Sequence, residues 1–312
     1  MSAILNVAFP VFGIILAGYL CAEWRLLGAE SSVALNRFVY WIAFPPYLFL
    51  SMARVPIHDT LRPDFLAAFG GGTVIAFVLA RLCSGRFGTA RPAAHSLRSF
   101  VASFPNTGYI GIPLFLAAFG PAGTQPAIIA TVFNAAVALG IVVVLVELDL
   151  TPSAGVPAMT RDVAMALVRN PLVTAPVLGL LASAVGLTVP MPIARFCELL
   201  GAAASPCALV ALGLFLSGRP LTRYLPTIGW ITVLKMLVQP ALTWAIAVPL
   251  LHMEPRWSSA AVLLAALPTG TLAFTVAQAY QLDVESTAAA TLATTLVSVI
   301  TIPLLLTLLQ FG

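Results

Sequence analysis

The sequence predicts an all-α membrane protein with ten transmembrane helices in two inverted five-helix repeats, the fourth and ninth helices being broken. Three observations carry that prediction. First, 60% of the residues are hydrophobic and only 8% charged, with a mean hydropathy of +1.02, which is more apolar surface than a soluble core requires. Second, two helix-breaking clusters interrupt tracts without charge: Ser103-Phe104-Pro105-Asn106-Thr107-Gly108-Tyr109-Ile110-Gly111-Ile112-Pro113 lies between Arg98 and Glu147, and Leu267-Pro268-Thr269-Gly270-Thr271 between Arg256 and Asp283. Third, the two clusters are about 163 positions apart, and Ala130-Thr131 returns at that offset as Ala293-Thr294. Pro45 and Pro206 fall about 161 apart. Matches that keep register over half a chain indicate an internal duplication.

Given about 20 residues per crossing, the spans follow in order. The first is expected over Ala3–Ala22; it has no basic residues before it and no clear cleavage site after it, and so reads as a span and not a signal peptide. The second covers Leu35–Ala53 with a break at Pro45-Pro46, and the third Pro63–Cys83. The fourth, His95–Ala118, should arrive through Phe100–Phe104, unwind, and restart near Ile110, because proline removes a backbone donor and glycine frees the chain. The fifth covers Gly123–Val146. A polar connection rich in Pro, Ser and Gly, Glu147–Asp162, then divides the chain into a first repeat (1–147), a cytoplasmic linker (148–162) and a second repeat (163–312). Spans six to ten are expected at Val163–Val185, Arg195–Leu216, Leu225–Leu251, Arg256–Tyr280 and Glu285–Gln310.

Five spans per repeat is an odd number, so the second repeat must enter the membrane in the opposite sense. Ten arginines, Arg25 through Arg98 on alternate connections and then Arg161, Arg169, Arg219 and Arg223, fall on one side of this topology, against Arg54, Arg62, Arg195 and Arg256 on the other. Basic residues accumulate on the cytoplasmic side. Both termini are therefore expected outside the cytoplasm, in a multi-pass protein of the cytoplasmic (inner) membrane.

Unwound backbone in hydrocarbon costs several kcal/mol per unpaired group and survives only inside protein or beside a watery cavity. The two breaks are thus the expected binding site. Half-helices restarting after Gly108 and Gly270 would aim partly positive N-termini and unpaired N–H groups at an anion. Pro105, Asn106, Thr107, Gly108, Pro268, Thr269, Gly270 and Thr271 form the expected contact set, with Tyr109 beside them. The competing reading is that these polar groups satisfy one another's broken backbone. Asn134 and Gln278 are mid-span amides that either face the cavity or bridge helices. Lys235, inside the eighth span, either attracts the anion or reaches the interface as an anchor.

The residues of the first break resemble the first-half motif of the auxin efflux carrier family, and Ala266-Leu267-Pro268-Thr269-Gly270-Thr271 with Ala277-Gln278 and Tyr280 resembles its ninth-span signature. Asn170-Pro171 is similar to its sixth-span start. The resemblance spans essentially the whole chain. It implies that the broken fourth and ninth helices cross near the midplane, and that spans one, two, six and seven form a scaffold beside a mobile unit made of the rest. It also implies transport of a small organic anion by alternating access; bacterial members include permeases assigned to malonate and malate, beside the plant auxin exporters. A homodimer through the scaffold helices is the assembly to look for. Two positions depart from the family pattern: Leu272 stands where Asn is frequent, and Ala279 where a basic residue is common.

Other classes fit less well. The net charge of +4 rests on few charges, which speaks against a nucleic-acid surface. A membrane-embedded enzyme needs clustered acids, a zinc pair or a nucleophile with its base. No such motif occurs, and neither a metal site nor a cofactor is expected. Every Asp and Glu maps to a span end or connection, and His58, His95 and His252 lie near connections, so no acidic ion site or histidine relay is visible. Cys21, Cys83, Cys197 and Cys207 read as packing residues. An anion channel or passive sensor on the same broken-helix architecture is the alternative to a carrier.

Overall fold

A computed structural model describes residues 2–54, 62–85, 92–120, 123–150, 161, 164–165, 168–218 and 224–309. Among them the chain is nearly all helical, and its one β-type pairing is an isolated antiparallel bridge between Pro105 and Thr269. Six helices are long and apolar enough to cross a membrane: α2 (Glu30–Ala53), α3 (Pro63–Ser84), α6 (Gln125–Leu150), α8 (Met191–Leu216), α9 (Leu225–Leu250) and α12 (Val284–Leu308). Between them come α1 (Ser2–Glu23) and α7 (Pro171–Ala184), followed by four short helices in two pairs. One pair is α4 (Pro92–Val101) with α5 (107–119); the other is α10 (Pro255–Ala265) with α11 (Thr271–Tyr280).

Prolines shape these helices from within. Wide π-turns occur at Val39–Ala43, Thr107–Gly111, Asn134–Ala138, Leu234–Val238 and Ile246–Leu250. Pro45, Pro113 and Pro240 follow three of them closely, and Pro249 lies in another. A proline has no N–H to return to the preceding turn, and the ladder widens to compensate. Such turns recur at functional sites. Here they carry Thr107, Gly108, Asn134 and Lys235.

Several boundaries move from their expected places. The fourth span ends its first half at Val101 and restarts at Thr107, three residues before Ile110, so Gly108 sits inside the restarting turn and not ahead of it. The π-turn explains the shift, since Ile110 N–H and Gly111 N–H both return to the Asn106 carbonyl, at 3.2 and 3.0 Å. Helix α6 continues through Glu147 to Leu150, past the expected end of the fifth span. Helix α7 begins at Pro171, because the Asn170 side chain caps it by accepting from Leu172 N–H at 3.0 Å.

Helix α1 lies along α8, and α2 packs on both α7 and α8. Helix α3 packs against α4, α9 and α10, α6 runs beside α4, and α12 lies against α9 and α11. The short helices are the most enclosed part of the molecule: every residue from Trp257 to Gln278 is buried, as is nearly all of α4. The long helices instead leave Leu82, Leu178, Phe196 and Ile300 exposed. Apolar side chains point outward while broken helices sit inside, the reverse of a soluble domain and the arrangement hydrocarbon demands. One core gathers Val39, Phe44, Leu97, Phe100 and Val143, and another gathers Phe65, Phe69, Phe115, Trp257 and Leu264. The breaks connect the two.

Candidate functional site

The two breaks meet. Asn106 N–H donates to the Pro268 carbonyl at 2.8 Å, and Gly270 N–H donates to the Phe104 carbonyl at 2.9 Å. Each unwound segment thereby supplies the partner that the other lost when its helix broke, in the antiparallel bridge noted above. Gly270 is required at its position, because a Cβ there would lie 2.7 Å from the Phe104 ring. Side chains finish the pairing. Thr269 Oγ1 donates to the Val101 carbonyl at 2.8 Å, Thr294 Oγ1 accepts from Thr269 N–H at 3.2 Å, and Asn134 Nδ2 donates both to the Pro105 carbonyl (3.2 Å) and to Thr107 Oγ1 (3.1 Å).

A small chamber of about 40 Å³ lies against this crossing. Pro105, Asn106, Thr107, Gly108, Asn134, Gly270, Thr271 and Leu272 line it, closed by Phe44, Tyr47, Leu48 and Phe104. Two polar atoms in its wall have no partner: Asn134 Oδ1 and Thr271 Oγ1. Helix α11 starts at Thr271 without a side-chain cap; Ala273 N–H turns back to the Gly270 carbonyl at 3.0 Å, and the N–H groups of Thr271 and Leu272 start the helix beside the chamber. The arrangement offers a hydroxyl, an amide oxygen and a partly positive helix end in an interior from which water is largely excluded, and there such groups act more strongly than at a surface.

Crossed, mutually bonded broken helices in an apolar helical chain suit a membrane transport protein, and comparison with known proteins agrees. A family described as membrane transport protein, the auxin efflux carrier family, matches residues 3–306. The chain belongs to that family. A protein of Rhizobium meliloti (strain 1021) named "Putative malonate transporter" is 30% identical over 313 residues, covering 100% of this chain and 98% of the other. An "Uncharacterized transporter" of Methanothermobacter thermautotrophicus is 26% identical, with 94% of each chain covered. The "Uncharacterized transporter YfdV" of Escherichia coli (strain K12) is 24% identical over 95% of this chain and 94% of its own.

Within this membrane transporter the sequence-chosen residues do not all converge. Pro105, Asn106, Thr107, Gly108, Asn134, Gly270 and Thr271 share the chamber. Pro268 and Thr269 lie behind it, committed to the crossing through the bonds already given. The backbone of Tyr109 belongs to the Thr107–Gly111 turn. Gln278 is seven residues further along α11, about 10 Å by helix rise. It lines two cavities, one with Asp283 and Glu285 and one with Arg37, Glu147 and Arg169, and its Oε1 has no partner. Lys235 is fully buried, and its Nζ donates to the Ala265 carbonyl at 2.7 Å. It is therefore neither a surface anchor nor a lining residue of the chamber; it caps the end of α10, giving a donor to a carbonyl at the end of that half-helix.

Three arrangements had weaker signals or none. Arg98, expected at a span end, is buried and makes a two-pronged ion pair with Asp283, with Nη2 to Oδ1 at 3.1 Å. The pair ties the last turn of α4 to the turn after α11. The hint in the sequence is that these two residues bound the two charge-free tracts, one each. Gln239 Nε2 donates to Thr73 Oγ1 (3.1 Å) and to the Ser103 carbonyl (2.9 Å), satisfying the first break from behind. Tyr280 Oη donates to Glu147 (2.7 Å) and accepts from Asn170 Nδ2 (3.2 Å). Nothing in the local sequence marks these bonds, which join helices far apart in the chain.

Proposed function

We propose that this protein is a secondary transporter of a small organic anion across the cytoplasmic membrane, a short dicarboxylate such as malonate being the leading class, and that it works by alternating access. The observation that carries the reading is the crossing itself: Asn106 with Pro268, and Gly270 with Phe104, hold two half-helix starts and the unpaired Thr271 hydroxyl at one buried chamber. Helix N-termini favour anions, and no Asp or Glu lines that chamber. The malonate name of the Rhizobium relative supports the substrate class. Leu272 in the chamber wall and Ala279 beside Arg37 and Arg169 make this chain less polar than the family pattern, which keeps a monocarboxylate with some apolar body open beside the dicarboxylate.

The ten-span inverted repeat belongs to the same reading. Pairing of α1 with α8 and of α2 with α7 exchanges into itself when the halves are swapped, and these four helices are the scaffold that the family resemblance implies. The repeats are 1–147 and 163–312, joined on the cytoplasmic side, with both termini outside. A cysteine placed at Thr89 in a cysteine-free background checks the orientation, since an impermeant reagent added to intact cells is expected to miss it.

Substrate class is tested by ligand-induced thermal stabilisation of the purified protein with acids, their neutral amides and amines of the same shape, at two pH values. Acids are expected to stabilise and to lose their effect as pH falls through the ligand's own pKa, because protonation removes the charge that the helix ends favour. Equal stabilisation by an acid and its amide, or a preference for amines, rejects the anion reading.

A further inference from the structure

The crossing chamber has two sides of opposite character. On one, the first turn of α11 and the Thr271 hydroxyl can donate hydrogen bonds. On the other stands Asn134 Oδ1, which can only accept, and it has no partner although Asn134 is just 2% exposed. The amide is not free to turn over and offer its N–H groups instead. Its Nδ2 is held by the Pro105 carbonyl at 3.2 Å and by Thr107 Oγ1 at 3.1 Å, and the reversed amide would set an oxygen against the carbonyl oxygen of Pro105. Both bonds run to the first break, so the backbone that makes the crossing also aims this oxygen.

We infer that the ligand carries a hydrogen-bond donor of its own beside its charge, either the proton of a half-ionised dicarboxylic acid or the hydroxyl of a hydroxy acid, and that Asn134 Oδ1 receives it. The inference rests on the crossing being the binding site of an anion. A buried acceptor left without a donor costs the bound state its full desolvation penalty. Water can donate to it before binding; a ligand that displaces that water must make the same bond or lose affinity. A fully ionised dicarboxylate has only acceptors, so one of its ends would be set against an amide oxygen. The half-ionised form keeps a carboxylate for the end of α11 and gives an O–H to Asn134. The chamber measures about 40 Å³, roughly the space of three or four waters, which suits one end of such a ligand. Tyr47, Gly108 and Thr131 also line a larger cavity, of about 750 Å³, with room for the rest. Among the described residues no Asp, Glu, His, Lys or Arg lines the chamber, and the Tyr47 phenol, the one ionisable group in its wall, keeps its proton below a pH of about 9. Of the charged groups on neighbouring helices, Lys235 is turned to the Ala265 carbonyl and Arg98 to Asp283. The proton at issue is therefore the ligand's, and transport of a half-ionised acid carries it across without a titrating side chain in the chamber wall.

The test varies the ligand's side of the bond. Thermal stabilisation of the purified protein is compared for malonate, for its half-amide malonamate, which has one carboxylate and N–H donors at any pH, and for monomethyl malonate, which has one carboxylate and no donor. Each is measured at a pH above both pKa values of malonic acid and at a pH between them. Malonamate is expected to bind about tenfold or more tightly than the ester at both pH values, the factor that corresponds to one unsatisfied buried acceptor. Malonate is expected to match malonamate between its pKa values and to fall to the level of the ester above them. Hydroxymalonate separates the two sources of the donor: binding as tight above both pKa values as between them assigns the contact to a hydroxyl, and binding that fades above them assigns it to the acid proton. Asn134→Leu removes the acceptor, so the preference for malonamate over the ester is expected to disappear; a preference that survives overturns the role of Asn134. Because the readout is a ratio, a general loosening of the crossing does not produce it, and the wild-type comparison decides by itself if that variant fails to purify as a single species. Equal binding of the ester and malonamate by the wild type overturns the donor requirement and leaves the anion site standing. No stabilisation by any of the four at either pH overturns the dicarboxylate reading on which the requirement rests.

Discussion

The two breaks lie about 163 positions apart in the sequence and meet at one crossing, yet they are built differently. The second, 266–270, is enclosed on every side: Lys235 caps the helix that ends there, Thr294 and Val101 hold Thr269, and the chain restarts as a regular α-helix from an extended Gly270. The first, 102–106, restarts through a wide π-turn, and the glycine of that turn lines the chamber. One break is a fixed strut and the other borders the chamber.

The largest expected effect comes from Asn106→Ala. The residue's backbone N–H holds the bridge, and alanine keeps it, so transport in reconstituted vesicles is expected to fall to background with the bridge intact. Wild-type uptake by this variant would falsify the assignment of the crossing as the site. Gly270→Leu is expected to behave differently. Its Cβ meets the Phe104 ring at 2.7 Å on the fixed side of the crossing, and overpacking of that kind costs about 1–3 kcal/mol, so both transport and melting temperature should drop. A Gly270→Leu protein as stable as wild type would mean that the second break is the looser one.

Much of this was legible in the sequence, and the reason is physical. A proline and a glycine inside a charge-free tract leave backbone groups that hydrocarbon cannot satisfy, so Pro105 and Pro268 announce a site without any structure. Pro105, Asn106, Thr107 and Gly270 border the chamber, whereas Pro268 and Thr269 lie behind it. What failed was anything decided by a partner far along the chain. Lys235 looked like a ligand or an anchor because only its depth was visible; that it serves the Ala265 carbonyl depends on how α9 crosses α10. The Arg98–Asp283 pair was hidden by the same distance, 185 positions. Tyr47 escaped notice altogether, since an aromatic after two prolines carries no signal until Gly108 and Gly201 are brought against it.

Lys235→Met sharpens the comparison at the strut. Methionine fills the space but gives the Ala265 carbonyl no donor, and a hydrogen bond of this kind contributes about 0.5–1.5 kcal/mol. A lower melting temperature is expected, together with a higher KM for the anion, because the end of α10 beside the crossing is then less firmly held. If stability is unchanged, the second break does not depend on this cap. If KM alone is unchanged, the lysine acts on the fold and not on the ligand.

The smallest effects should come from the threonines that repeat between the halves, and they separate the two breaks most directly. Thr294 accepts from the N–H of Thr269 at 3.2 Å while donating to the Ala290 carbonyl at 2.9 Å. Thr294→Val keeps the shape and deletes the acceptor, which leaves a buried N–H unpaired at a cost of about 1–3 kcal/mol. Its repeat counterpart Thr131 makes only the bond within its own helix, to Ala127, and otherwise borders the cavities. A threonine hydroxyl bonded back along its own helix adds little to that helix, so Thr131→Val should leave the melting temperature nearly where it was and change KM instead. Denaturation and uptake measured on the two variants side by side give four numbers with opposite expected patterns. If Thr131→Val destabilises the protein as much as Thr294→Val, the first break is as much a strut as the second, and the division of labour between them is wrong.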